Sequence, residues 1–242
     1  MASWIAYTLT LCDNKSILFT MRFMNYTSRV SLGNTLAQRL KEFRGKGAIV
    51  VCLEESSLLT CLTIASQIHA YVYPLLFEPI YSQDSMHQPL GAYDQDGELC
   101  PIPGTHVSES DLTPEMRSML KHLHGPAVET VMNEKQKFGM ELDKSTLNGR
   151  DVILAVDILT SVIPVIVARK LLSEIAPKSV TAVAGNATLE TAQLLRLTAA
   201  RTEILDVISG ITFDPNHYFE DRDGYSTDQQ HTLTRNIASY WQ

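Results

Sequence analysis

The 242-residue chain has four cysteines, and no two of them form a Cys-x-x-Cys pair. That is too few for a disulfide scaffold, and the spacing excludes zinc ribbons and thioredoxin-type redox motifs. The thiols are therefore expected to be reduced, in a cytoplasmic protein. Aromatic residues make up only 7% of the chain and charged residues only 19%, against 45% hydrophobic. A disordered or polyelectrolyte chain is excluded, and there is enough apolar material for a full core. Cations are outnumbered, 20 Lys and Arg against 27 Asp and Glu. A net charge of -7 argues against general binding to nucleic acid or to anionic membranes.

Long apolar runs are also missing. The segment 152–168 comes nearest, but Asp157, Thr160, Ser161 and Pro164 interrupt it. It falls short of the roughly 20 residues a spanning helix needs, so no membrane segment is expected. The start of the chain has no basic cluster or small-residue cleavage site, so no signal peptide is expected. The dinucleotide glycine fingerprint, the P-loop, the nucleophile elbow and the zincin helix motif are all absent. His122 and His124 are two apart on an expected helix and do not share a face, so no metal site is assigned to them.

What remains is an alternation of strands and helices. Residues 1–21 read as an arm or edge strand. The apolar spacing of Val30, Leu32, Leu36, Ala37 and Leu40 predicts a helix from Ser28, ended by Gly45 and Gly47. Segment 48–53 is a continuous, β-branched apolar run suited to a strand covered on both faces. A helix is expected over 58–69 and a strand over 70–77. The region 79–110 reads as an insertion: a polar loop, then a hairpin turning on Asp94-Gln95-Asp96-Gly97. A long helix starts at Thr113 with Pro114 at its first position, and is expected to break at Gly125-Pro126. Strands at 151–156, 179–184 and 203–208, with helices at 163–175 and 189–197, complete the pattern. Such an order requires right-handed crossovers and an open, mainly parallel sheet with helices on both faces: a three-layer α/β fold. Arg169 and Lys170 read as solvated, and Tyr71 and Tyr73 as packing residues. Asp157, near the carboxyl end of its strand, stands where open α/β sheets bind ligands. Its plainer reading is a helix cap or loop carboxylate.

The string Asp151-Val-Ile-Leu-Ala-Val-Asp157-Ile-Leu-Thr160-Ser161-Val-Ile-Pro164 resembles the signature of the type I phosphoribosyltransferases. In that family hydrophobic residues precede two acids, and a Thr/Gly-rich turn leads into a helix whose amides hold the 5-phosphate of phosphoribosyl pyrophosphate. The rest of the chain, about residues 22–228, is similar in order to a bacterial subgroup of that family. Arg22 to Leu40 resembles its first helix, and Ala48 to His69 its first core strand, pyrophosphate loop and helix. Leu90 to Tyr93 with Asp96-Gly97 resembles its hairpin, and Val183 to Leu195 with Glu190-Thr191 a later strand and helix. Phe213, Tyr218, Phe219 and Asp221 resemble its closing aromatic segment.

The resemblance implies a phosphoribosyltransferase-like domain over 22–242. It also implies Asp157 as the acid facing the ribose, Thr160 and Ser161 at the phosphate turn, Glu54, Glu55, Ser56 and Ser57 at the pyrophosphate loop, and Mg²⁺ if the protein is active. Both loops depart from the pattern. Val156 replaces the first acid, and Val162 and Pro164 replace a glycine and a threonine. Glu54-Glu55-Ser56-Ser57 stands where the subgroup has Pro-Arg-Gly-Gly. A carboxylate about 6 Å from a phosphate charge costs roughly 0.7 kcal/mol in water and roughly 3 kcal/mol at an effective dielectric of 20. The expected function is therefore a degenerate phosphoribosyltransferase-like protein that serves as a ligand-sensing or protein-interaction scaffold. Its open partners are a small phosphorylated ligand, a protein, or a second copy as a homodimer. The alternative is a working pentosyltransferase with an altered donor site, in which Glu54, Glu55 and Asp157 gather around Mg²⁺. An unrelated α/β protein is the third reading.

Overall fold

The computed structural model describes residues 26–82, 88–105, 113–138, 143–208 and 218–221, with 229 and 232. The expected arm at 1–21, the start of the first helix segment, Phe213 and most of the final helix lie outside the described residues.

The first helix, α1 (Arg29–Gln38), is capped by Ser28, whose hydroxyl accepts the Ser31 amide. Leu32, Leu36 and Ala37 on its inner face are buried, whereas Val30 is exposed. Strand β1 (Ile49–Cys52) is buried along its whole length. Helix α2 (Leu58–Ile68) follows and lies against α1. Gly33 makes that contact close: a Cβ there would meet Thr63 Cβ at 2.6 Å. Strand β2 (Tyr71–Pro74) then pairs in parallel with β1. The expected single strand at 70–77 is in fact two. After Leu75-Leu76 the chain leaves the main sheet and enters β3 (Phe77–Tyr81), which belongs to a second sheet.

That second sheet is the insertion. Strands β3, β4 (Pro89–Asp94) and β5 (Leu99–Pro101) pair antiparallel. The hairpin at Asp94–Gly97 forms as expected, with Asp94 Oδ1 accepting the amides of Asp96 and Glu98. Residues 79–81 and 89–91, expected as loop, are strand instead. Helix α3 (Pro114–Phe138) packs on this sheet through Ile80, Tyr93, Leu120 and Ala127. The expected break at Gly125-Pro126 does not occur: Pro126 sits inside one continuous helix. Packing against the hairpin outweighs the local cost of the proline.

The second half is regular. Strand β6 (Asp151–Leu159), helix α4 (Ile163–Glu174), strand β7 (Ser179–Thr188), helix α5 (Leu189–Thr198) and strand β8 (Arg201–Ile208) follow one another. β6 and β7 outrun their expected ends, to Leu159 and Thr188. The reason is packing. Asp157 and Asn186 are polar in sequence but fully buried in the sheet. Gly185 sits beside Asp157, where a Cβ would come within 2.5 Å of the Asp157 carbonyl oxygen. The main sheet has the order β2-β1-β6-β7-β8, all parallel. Its direction of construction reverses between β1 and β6, which is where such sheets open a crevice.

Lys170, expected to be solvated, ties the insertion to α4. Its ammonium reaches Asp94 Oδ2 at 2.7 Å, Glu98 Oε2 at 2.5 Å and Glu174 Oε1 at 2.7 Å. Lys144 bridges Asp96 and Glu174 alongside. Asp94, Glu98 and Glu174 converge as metal ligands would, but the Lys170 ammonium already binds all three. Lys170→Met is expected to cost about 1–2 kcal/mol, because it leaves the nearly buried Asp94 without its cation. Hydrogen exchange should quicken first at the 94–98 turn; unchanged protection there would show that the hairpin is held by its apolar face alone. Arg169 is exposed, as expected. Tyr73 is buried and its hydroxyl accepts from Gln95, while Tyr71 is partly buried beneath Arg150.

Candidate functional site

The crevice between the ends of β1 and β6 is a cleft of about 370 Å³. It brings the two loops singled out by the sequence together: Glu54, Glu55 and Ser56 after β1 face Ser161, Ile163 and Pro164 after β6. The insertion supplies the opposite wall through β3 and α3, including Glu78 and Glu134. Ser57, Asp157 and Thr160 do not line it.

Asp157 is neither a helix cap nor a loop carboxylate. It is fully buried within β6, and its oxygens are taken up from inside the protein. Arg29 Nε donates to Oδ2 at 2.9 Å. The Ser57 hydroxyl donates to Oδ1 at 2.7 Å and accepts the Asp157 amide at 3.0 Å. The Ile158 amide donates to Oδ1 at 2.6 Å. Burial pushes the carboxyl up, while Ser57, Arg29 and the Ile158 amide act to hold it down.

Arg29 is fixed in turn. Its guanidinium lies 4.5 Å from the centre of the Phe219 ring. Phe219 belongs to a closing segment that pairs with the start of the described chain: the Tyr26 amide donates to the Tyr218 carbonyl, and the Glu220 amide to the Tyr26 carbonyl. The Tyr26 hydroxyl donates to Asn186 Oδ1 at 2.6 Å. Sequence reading missed Arg29, Tyr26 and Asn186. Nothing in their local pattern says that segments so distant in the chain share one buried polar network.

In the turn after β6 several donors are used within the turn itself. The Ser161 hydroxyl accepts the Ile163 amide. Pro164 has no amide, and the Val165 amide turns back to the Val162 carbonyl. The loop after β1 is likewise folded on itself. Glu55–Ser57 is a 3₁₀ turn whose Ser57 amide donates to the Glu54 carbonyl, and the Ser56 hydroxyl reaches Glu54 Oε2 at 3.3 Å. Burial, together with the nearby charge of Asp157, pushes Glu54 up to about 7. Burial and Glu134 also raise Glu78.

Mg²⁺, which the resemblance implies for an active protein, does not fit these residues. Glu54, Glu55 and Asp157 do not bring three oxygens to one point; among the described residues only Asp94, Glu98 and Glu174 do. The donors already on Asp157 occupy the carboxylate oxygens that an ion would need.

Compared with solved structures, the chain is similar to TT1426 from Thermus thermophilus. The match covers 89% of this chain and 100% of that one, at 18% identity and a TM-score of 0.71. That likeness shows a shared fold, the open parallel α/β fold described above. A hypoxanthine phosphoribosyltransferase from Staphylococcus aureus also aligns, over 78% of each chain at 14% identity and a TM-score of 0.43. No family model matches the sequence, and no curated protein does. In this chain the turn after β6, the loop after β1 and the insertion all stand around the same cleft. Among the described residues no helix is long and apolar enough to cross a membrane.

Proposed function

We propose that this protein is a phosphoribosyltransferase-like scaffold that binds a ligand or a protein partner and does not carry out phosphoribosyl transfer. The observation that carries the reading is the state of Asp157. The one acid left in the signature is sealed in the core on Arg29 and Ser57, so it has no face to present to a ribose. The cleft beside it supports the same reading. Its charged lining residues are Glu54, Glu55, Glu78 and Glu134, with no lysine, arginine or histidine among the described residues. Loss of a diphosphate group as a leaving group needs positive charge or amide donors around it, and this lining opposes it. Cys52, Cys61 and Cys100 are free and buried, which suits a reducing compartment, and the cytoplasm is the proposed location.

Calorimetric titration with phosphoribosyl pyrophosphate and Mg²⁺ tests the reading. No saturable heat is expected up to about 1 mM donor, since like charges in the cleft cost several kcal/mol. Micromolar binding, or pyrophosphate release in the presence of bases or ammonia, would overturn it in favour of a working transferase.

A further inference from the structure

The main sheet has two edges, and they differ. Strand β2 is four residues long and ends in Pro74, which limits what can pair with it. Strand β8 runs over eight residues without proline or glycine, and most of them are half-buried. Among the described residues it pairs with β7 on one side and with nothing on the other. A long, regular edge offers a row of amides and carbonyls to any strand that fits it. Exposed apolar side chains gather at the same place: Val207 on β8, and Leu189 and Leu197 on α5, which packs against β8. Leu197 is 78% exposed.

The sequence of β8 suits a second copy of itself. In an antiparallel pair about a two-fold axis, residues that stand opposite share a face of the sheet, so odd positions oppose odd and even oppose even. A pair centred on Glu203 or on Asp206 sets like charges against each other, which is destabilising. A pair centred on Leu205 sets both carboxylates against apolar residues, Glu203 against Val207 and Asp206 against Ile204. A pair centred on Ile204 uses nearly the whole strand and opposes no like charges. It sets Ile204 against its copy, Glu203 against Leu205, Asp206 against Thr202 and Val207 against Arg201. We propose that two copies of this chain join along β8 in this register, so that their five-stranded sheets become one. The two α5 helices then lie side by side on the same face and run in opposite directions, which brings Leu189 of one copy towards Leu197 of the other. The contact is isologous and closes the open edge. It is separate from the cleft at β1 and β6, and so does not depend on what the cleft binds.

Sedimentation velocity on the full chain at low salt, where surface charges are little screened, tests the proposal. A dimer with a dissociation constant below about 10 μM is expected, and protection from hydrogen exchange over 201–208 should rise with its population. Val207→Lys puts a cation opposite Arg201 twice per dimer and should weaken it about tenfold, whereas Val207→Glu puts an anion there and should tighten it about threefold. Leu197→Lys should weaken the dimer at least about fivefold, and Met132→Lys, on α3, should not. Val207, Leu197 and Met132 are all exposed, so the folded chain accommodates each change. A chain still monomeric at about 100 μM, a dimer indifferent to Val207→Lys and Leu197→Lys, or one that Val207→Lys tightens would overturn the proposal. So would a monomer whose 201–208 amides are all protected, since another part of the same chain would then hold the edge.

Discussion

Asp157→Ala is expected to destabilise the protein by about 3–5 kcal/mol, seen as a fall of roughly 10 °C or more in the melting temperature. The alanine leaves the mostly buried Arg29 guanidinium facing the hole where its partner stood, and strips Ser57 and the Ile158 amide of their acceptor. Breaking a buried pair by removing one member is the costly case, because the desolvation of the remaining charge is no longer offset. Asp157→Asn should cost less, since an amide oxygen still accepts from Ser57 or Ile158. Arg29→Gln should cost a comparable amount by leaving the carboxylate uncompensated. The double variant Arg29→Gln/Asp157→Asn should lose clearly less than the sum, with a coupling of at least about 1 kcal/mol.

This prediction separates two roles for the same residue. In a working transferase the acid would face substrate, and its removal would leave stability unchanged or raise it, as is common for active-site charges. An unaltered or higher melting temperature for Asp157→Ala would therefore remove the main support for the scaffold reading. The departures at the two loops also make sense together. Ser57 stands where the resembling subgroup has glycine, and its hydroxyl is what holds Asp157 from the α2 side.

The sheet was legible because both of its signals were strong. Buried parallel strands such as 48–53 and 151–156 are continuous apolar runs, and α2 and α4 carry helical periodicity. Legibility ended where burial overrode polarity. Asp157 and Asn186 lie beyond the expected strand ends at 156 and 184, yet hydrogen bonds from distant segments let both strands continue past them. Val162 and Pro164 marked a departure at the turn, where Pro164 has no amide to offer, and Glu54 and Glu55 an anionic loop. The insertion misled in the opposite direction. Pro79 and Pro126 read locally as breakers, but Pro79 lies in a three-stranded sheet and Pro126 in a helix packed over it. Lys170 looked solvated because, of its three carboxylate partners, only Glu174 is near in sequence, while Asp94 and Glu98 lie far back on the hairpin.

Glu54 should make stability fall as pH rises across neutrality. Its folded-state pKa is about 7 against an ordinary 4.5, raised first by burial and then by the charge of Asp157. Between those two values the folded chain holds a proton that the unfolded chain has lost, so folding takes up a proton. At about pH 4 or below both states are largely protonated and little penalty exists. The penalty grows as pH rises from the ordinary value and is complete above the folded one, at roughly 2–3 kcal/mol. Glutamine mimics the neutral acid, so Glu54→Gln should raise the melting temperature by roughly 4–8 °C at about pH 8 and leave it nearly unchanged at about pH 4. An equal gain at both pH values would show that the amide merely packs better, and a loss at the higher pH would show that the carboxylate is already compensated.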